Sequence, residues 1–471
     1  MGYDLQRIAN EATQHTGERM ARFRAAKTIA PRYEGEVIGL PDSAMVFTNS
    51  ERKSAWCQRR WYYSQGVGIG NRGSIAMYFG SWVHRAMEAA FTYYMYVDEP
   101  LPEDWESICP LCDGTQTFKD EECMSCDGTG AGVVDIAIQL MREALDDEME
   151  WPEQEQRLHD VITGYFINYG KMPFKNYKVV GVEMQVAFPV LSPKTGRVYR
   201  SETYVVPTEE GWRIAQANDS PDDCELVSLP WYQCAKMDGV LQNRKTGGLW
   251  VHEFKTSQNP VTFGKDLALD TQIAGYMRAL NYVVSLGYFD KNLAVEGYFW
   301  DVLGSRKHTK PKVLKSGKVS MAKNQRIASW HWNEMLDSRP SDSDGYDERL
   351  EMEDFAVQLA ERVDPTLYHR EFGSYTVEGD NRYAVELFAD AKRFSKMRRD
   401  VVRVNVGEEV EIAEAFPRTP VCRISGHGCA YTGPCMNTDM NIEQSFEQRP
   451  HLVWIRAATL NKKEEICQPM F

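Results

Sequence analysis

At about residue 177 the apolar pattern of this chain changes from a helical period to an extended one, and that change limits its possible folds more than any other feature. The segment KVVGVEMQVAFPV (178–190) carries a β-branched series at Val179, Val182 and Val186 and reads as a strand. WYQCAKMDGVL (231–241) and GLWVHEFKTS (248–257) read as two more, joined through Asn243–Gly248, whose Gly247-Gly248 pair is a hairpin signal. A long amphipathic helix from about Leu267 to Leu286 follows, then a further strand at 295–303. Upstream, helical periodicity covers Ser74–Tyr96, 134–148 and 154–170, and residues 51–64 read as a short helix with an aromatic stripe at Trp56, Trp61 and Tyr62. Helices return at 350–363 and 380–400, after a Lys-rich loop at 304–330 and a polar linker at 340–349. Helices bracketing strands in this order predict an α/β fold.

Composition narrows the class. With 43% hydrophobic and 26% charged residues, the 471-residue chain has the makeup of an ordinary globular protein rather than a disordered or fibrous one. No apolar stretch approaches the roughly 18 residues of a membrane helix. The first twenty residues carry charges where a signal peptide would be apolar, and Gln6 weakens a myristoylation reading, so the expectation is a cytoplasmic protein with no membrane role. A net charge of −14 argues against coating nucleic acid by bulk attraction but leaves room for a local basic groove.

The stretch most suggestive of chemistry is Asp238, followed on the next strand by Glu253-Phe254-Lys255. Alternation along a strand puts Glu253 and Lys255 on one face and Phe254 on the other, and the hairpin can bring Asp238 to the same side. Two close carboxylates attract a hard divalent cation such as Mg²⁺ or Mn²⁺, which lowers the pKa of a bound water; a neighbouring lysine orients that water and neutralises developing charge. Taken alone, the same residues also describe a cross-strand salt bridge on a solvated hairpin. Gln272 and Tyr276, four apart on the following helix, share one face. His84 in Gly80-Ser81-Trp82-Val83-His84 is a further possible ligand, and Glu183 lies mid-strand among apolar neighbours, where a lone carboxylate is costly unless paired.

The ordered series Gly80-x-x-x-His84, Glu183, Asp238, Glu253-x-Lys255 and Gln272-x-x-x-Tyr276 resembles the PD-(D/E)XK nuclease superfamily, in particular its RecB-like exonuclease branch. The resemblance covers roughly residues 50–100 and 175–300. It implies a restriction-endonuclease-like core, a mixed central sheet flanked by helices. It also implies that His84, Asp238 and Glu253 are metal ligands for Mg²⁺ or Mn²⁺ and Lys255 the catalytic lysine. Gln272 and Tyr276 would match the helical motif that helps position DNA, and Glu183 the extra acidic strand residue. Met237-Asp238 stands where the family name has Pro-Asp, and Glu253 takes the variable Asp/Glu position.

Eleven cysteines in a chain of this kind suggest metal rather than a disulfide framework. Cys109-x-x-Cys112 and Cys123-x-x-Cys126, with Gly114, Gly128 and Gly130 beside them, form a structural zinc pattern; a redox dithiol is the competing reading. Their CxxCxG…CxxCxGxG form resembles a zinc module of the J-protein cysteine-rich domain, without the His-Pro-Asp of a J-domain. Cys57, ahead of Gln58-Arg59-Arg60-Trp61-Tyr62-Tyr63, and the terminal triplet Cys422, Cys429 and Cys435 resemble the segments that hold a cluster in iron–sulphur members of the RecB-like branch. That resemblance implies a [4Fe–4S] staple between the tail and the N-terminal region. Gln58 replaces the usual proline and the Cys422–Cys429 spacing is wide, so zinc or unliganded thiols remain alternatives.

The predicted organisation is an N-terminal helical region (1–100), a zinc-binding insertion (101–132), a nuclease core (133–303), a basic loop and linker (304–349), C-terminal helices (350–415) and a cysteine-rich tail (416–471). Between Arg306 and Arg326 the chain carries basic residues and no acid; Lys310, Lys312, Lys315 and Lys318 are candidate phosphate contacts, against the default of a solvated charge face. Trp61 and Tyr62 either stack on unpaired bases or, as the stronger expectation, pack in the core. The resulting expectation is a metal-dependent DNA exonuclease acting on linear ends or single strands, resembling phage recombination exonucleases and CRISPR-adaptation nucleases. A phage-encoded chain would work in the host cytoplasm, and a recombination or helicase partner is implied. No Walker A motif supplies a motor in this chain. The alternatives are a non-catalytic DNA-end-binding scaffold and a zinc-module chaperone or redox protein.

Overall fold

The computed structural model describes residues 37–306 and 412–417 with short interruptions, 365–403 throughout, and short strands at 312–313, 319–320 and 446–448. Eight strands make the main sheet: β1 (Met45–Thr48), β2 (Tyr177–Pro189), β3 (Arg200–Thr208), β4 (Gly211–Ile214), β5 (Glu225–Asn243), β6 (Leu249–Ser257), β7 (Val295–Gly304) and β8 (Tyr368–Ser374). The helices used below are α1 (Asn49–Ser54), α2 (Gln58–Trp61), α3 (Ile75–Tyr96), α4 (Val133–Ala144), α5 (Trp151–Tyr169), α6 (Pro260–Leu267), α7 (Thr271–Leu286) and α8 (Val377–Arg403).

The sheet runs β8-β7-β6-β5-β3-β4, with β1 and β2 also paired to β5. It is mixed: β6 and β7 are parallel, as are β1 and β5, and the other pairs are antiparallel. The long strand β5 organises it. Since β2 pairs with β5 along Tyr232–Asn243, both β1 (on Trp231–Cys234) and β6 (on Gly239–Gln242) must meet the opposite edge. Residues 235–238 therefore lie between the end of one partner and the start of the other. At this point β5 and β6 part, and β6 continues beside β7, with Glu253 opposite Trp300 and Lys255 opposite Val302.

Both faces of the sheet are covered, and the strand alternation sorts residues between two cores. On one side Met184, Val186, Trp231, Val240, Val251 and Trp300 pack with Ile273, Leu280, Leu387 and Phe394 of α7 and α8. On the other, Val179, Leu241, Phe254, Phe299 and Leu303 pack with Phe79, Phe91, Leu158 and Tyr165 of α3 and α5. This is the α/β architecture with a mixed central sheet flanked by helices that the sequence predicts.

The boundaries needed correction in several places. The helix expected from about Leu267 to Leu286 begins at Thr271, because the Asp270 carboxylate accepts the Gln272 N–H at 2.9 Å and starts α7 there, and a separate helix, α6, opened by Pro260, precedes it. The expected helix at 51–64 breaks after Ser54, resumes at Gln58 and ends in a wider turn, Tyr62–Gly66. The loop expected at 304–330 contains a small antiparallel pair, Lys312–Val313 with Val319–Ser320. Strands β1, β3, β4 and β8 were not anticipated. The helix expected at 350–363 lies outside the described residues. No helix among the described residues is long and apolar enough to cross a membrane.

Candidate active site

The parting of β5 and β6 leaves backbone groups without ladder partners, and a side chain takes over one of them. Phe254 N–H donates to Asp238 Oδ2 at 2.8 Å, which ties the two strands together one residue beyond their last pair, Gly239 with His252. Helix α3 approaches from one face and places His84 Nδ1 3.4 Å from the same Asp238 oxygen. The His84 ring meets Phe254 edge-on at 6.3 Å. Helix α7 approaches from the other face. There Gln272 Nε2 donates to Glu253 Oε1 at 3.1 Å and also meets the Tyr276 hydroxyl. Lys255 Nζ donates to Glu253 Oε1 and stands 5.5 Å from the Trp300 ring centroid. Alternation along β6 thus behaves as read from the sequence: Glu253 and Lys255 face α7, and Phe254 enters the α3 core.

Glu183 joins this group from β2. It lies between the pairs Val182–Gly239 and Met184–Met237, which puts it level with Asp238, and its backbone is left-handed, with φ 52°. A buried β-strand glutamate in that region costs on the order of 1–2 kcal/mol. Lys236, two residues before Asp238, forms an ion pair with it. The lone mid-strand carboxylate therefore has the partner that burial demands, and the strained backbone turns it toward the other acids.

The charges are strongly coupled. Burial pushes Glu253 up to about 8, assisted by the Asp238 charge and opposed by Lys255. Burial and Asp238 likewise push Glu183 up to about 7, opposed by Lys236. Burial would raise Asp238 too, but His84, Lys255 and the Phe254 N–H hold it well below the usual carboxylate range. His84 is depressed by burial and raised by Asp238, with a net shift upward. Three carboxylates in one buried locus are thus balanced only by retained protons and by the cations beside them.

Divalent-cation chemistry fits this donor set. Glu253 is 1% exposed, and among the described residues its Oε2 has no hydrogen-bond partner while Oε1 is held by Lys255 and Gln272. Carboxylates and an imidazole are donors a hard cation takes, and Asp238 and His84 act electrostatically on Glu253, although among the described residues only the four cysteines gather three or more ligand atoms within 4.8 Å of one another.

The four cysteines Cys109, Cys112, Cys123 and Cys126 form a second centre, between α3 and α4. All four are buried and their sulfurs lie within 4.8 Å of one another. Cys109 and Cys123 sulfurs are 3.8 Å apart and those of Cys112 and Cys126 3.7 Å, which matches the roughly 3.8 Å edge of a tetrahedron with metal–sulfur bonds of about 2.3 Å. Each knuckle ends in the same Cys-Asp-Gly-Thr turn. Asp113-Gly114 and Asp127-Gly128 all have left-handed backbones, and Thr115 and Thr129 each donate to the preceding cysteine carbonyl at 2.6 Å. Gly130 N–H donates to Cys126 Sγ at 3.2 Å. This cluster can hold a metal ion.

Cys57 is buried beside α2, whereas Cys422, Cys429 and Cys435 lie outside the described residues, as do Lys310, Lys315 and Lys318; Lys312 opens the short strand at 312–313. Trp61 and Tyr62 are fully buried and stack against Phe416, so they belong to the core rather than to a base-stacking platform.

Sequence reasoning missed several polar residues near the site. Lys236 was legible only as a neighbour of Asp238. Glu88 lies one turn beyond His84 and acts electrostatically on Glu183 and Lys236. Beneath Glu253, buried His252 and Tyr165 both bond to Asp301 Oδ2, at 3.0 and 2.7 Å. Arg370 from β8 clasps that carboxylate at 2.6 and 2.7 Å. Those four residues span 205 positions, and no local pattern links them.

Fold and site together define an α/β protein with a buried carboxylate–lysine centre at the divergence of two strands, suited to divalent-cation chemistry. The chain matches the family model of the PD-(D/E)XK nuclease superfamily over residues 52–436 and belongs to that superfamily, whose nucleases use divalent metals. Comparison with curated proteins finds no match.

Proposed function

We propose that this protein is a Mg²⁺- or Mn²⁺-dependent DNA exonuclease that processes linear ends or single strands in recombination or repair. The observation that carries the reading is the convergence of His84, Asp238, Glu253, Lys255 and Gln272 where β5 and β6 part, with Glu253 Oε2 buried and unpartnered. His84, Asp238 and Glu253 would hold the ion, with Glu183 as an additional acid. When bound, the ion supplies Lewis acidity toward water and phosphate oxygen. Lys255 orients the attacking water and neutralises charge on the phosphate. Gln272 fixes the Glu253 rotamer by holding Oε1, and Tyr276 supports Gln272. Water adds to phosphorus and the P–O3′ bond breaks, so the 3′-oxyanion leaves and takes up a proton.

The cysteine knuckle reads as a structural Zn²⁺ site, because four thiolates at tetrahedral spacing suit that ion. A [4Fe–4S] cluster on Cys57, Cys422, Cys429 and Cys435, as in the RecB-like branch, is supported by where the tail docks. Arg59 Nε donates to the Phe416 carbonyl at 2.9 Å, and Phe416–Gln448 flanks the triplet, with Phe446–Gln448 paired to Ile69–Asn71. The tail thus meets the N-terminal region on both sides of the sequence that carries Cys422, Cys429 and Cys435. An exonuclease encoded by a phage or other mobile element, working in the cytoplasm with a recombination or helicase partner, is the setting that this branch suggests.

The test is digestion of 5′- and 3′-labelled linear, nicked and closed circular DNA with Mn²⁺. The reading expects nucleotide release from linear DNA by the wild type and none by Asp238→Ala. Binding without cleavage by the wild type would favour a DNA-end-binding scaffold.

A further inference from the structure

The two cysteine knuckles are copies of one turn, yet among the described residues the second is the one hydrogen-bonded to the helix that carries His84. Arg85, the next residue on α3, is buried; its Nη2 donates to Asp127 Oδ2 at 2.7 Å and to the Ser125 carbonyl at 3.1 Å. Ser125 Oγ in turn donates to the Ala89 carbonyl on α3 at 3.1 Å. Asp113, the equivalent of Asp127 in the first knuckle, is exposed. Among the described residues Arg85 Nε and Nη1 have no hydrogen bond, and Glu88 is a further ionic neighbour at 3.8 Å. The second knuckle therefore supplies the hydrogen bonds that compensate this buried guanidinium, and a buried charge deprived of such a partner is strongly destabilising.

Successive residues on a helix point about 100° apart. Arg85 facing the knuckle therefore fixes the rotation at which His84 faces Asp238. The knuckle also packs along the rest of α3: all four cysteines share a core with Trp82, Val83 and Phe91, and Phe118 meets Tyr96 edge-on at 5.5 Å. Glu88, one turn from His84, extends the link to Lys236 and Glu183.

We propose that the cysteine centre is the clamp that sets His84: Zn²⁺ on Cys109, Cys112, Cys123 and Cys126 shapes the turn that holds Arg85, and this anchorage raises the affinity of the His84–Asp238–Glu253 site for its divalent cation. The inference rests on the reading above that both centres take metal. Arg85 acts through His84 and is a positioning residue. Removing partners that orient metal ligands typically weakens metal binding by about 10–100-fold, and an anchor one step further back belongs at the lower end, about 10-fold.

The experiment uses the full chain, with zinc measured by atomic absorption and Mn²⁺ binding by the electron paramagnetic resonance signal of free Mn²⁺. Arg85→Gln and Asp127→Asn are expected to keep stoichiometric zinc and a cooperative unfolding transition, at a lowered midpoint, while the Mn²⁺ dissociation constant rises about tenfold. Arg85→Lys should recover part of that loss, and cleavage at saturating Mn²⁺ should return toward the wild-type rate. Unchanged Mn²⁺ affinity in both zinc-loaded variants would overturn the coupling and leave the nuclease reading intact. A wild type free of zinc would overturn the clamp alone. A zinc-loaded wild type that binds no Mn²⁺ would overturn the nuclease site and the clamp together.

Discussion

Asp301, on β7 opposite Phe254 of β6, is 1% exposed, and its carboxylate receives four hydrogen bonds: one each from Tyr165 and His252 and two from Arg370. Burial alone would raise its pKa, but the Arg370 charge and these bonds hold it well below the usual carboxylate range. Asp301→Ala leaves the Arg370 guanidinium in a pocket made by Tyr169 and Phe174, whose ring centroids lie 4.0 and 4.4 Å from it. Removing one partner of a buried pair costs about 3–5 kcal/mol. Arg370 keeps the Pro173 carbonyl at 3.2 Å and the two rings, which lowers the loss, while Tyr165 and His252 lose an acceptor, which raises it. The balance is about 4 kcal/mol, read as a fall in the urea midpoint at constant slope. Asp301→Ala with Arg370→Met should recover at least half of it, because the charge without a partner is gone. The sign with pH follows from the depressed pKa. The contribution of Asp301 is complete above its ordinary value of 3.8 and is lost as pH falls from there toward the lower folded value. A loss under about 1 kcal/mol at neutral pH, typical of exposed pairs, would refute the reasoning.

Further tests are simpler. His159 is pushed up to about 9 by Asp160 and Glu106, so its contribution is full below 6.5 and fades as pH rises through about 9; the gap in melting temperature between wild type and His159→Gln should close over that window. With its side chain 41% exposed, the gap should be small. Gly297→Ala would push a methyl into the Gly373 carbonyl and the Trp250 ring and should destabilise by about 1–3 kcal/mol in the same urea assay. Cys112→Ser should lower bound zinc by atomic absorption, since one of four buried sulfurs is lost. Glu253→Gln should abolish detectable Mn²⁺ binding in calorimetry, because the unpartnered Oε2 becomes part of a neutral amide.

The site was legible because its chemistry is written locally. Asp238 and Glu253-x-Lys255 flank one hairpin, and Gln272 and Tyr276 share one helical face, so strand and helix periods are enough to bring them together. The four cysteines announce themselves by spacing. What escaped notice depends on long-range pairing. Strand β8 owes its place to β7, and Asp301 meets Arg370 across 69 residues, a relation with no periodic trace. Glu183 stands out in the sequence as a lone acid in an apolar strand, but its left-handed backbone and its pairing with Lys236 depend on the neighbouring strand β5, which β2 alone does not encode. The Arg85–Asp127 contact, 42 residues apart, was hidden for the same reason.

The most direct test of the central claim is the rate of nucleotide release from labelled linear DNA in Mn²⁺, comparing wild type with Lys255→Ala purified in parallel. Lys255 touches Glu253, and in the proposed role of neutralising charge on the phosphate its removal should slow cleavage by about 100-fold or more while DNA binding persists. Equal rates from the two proteins would contradict the assignment of this site as the catalytic centre.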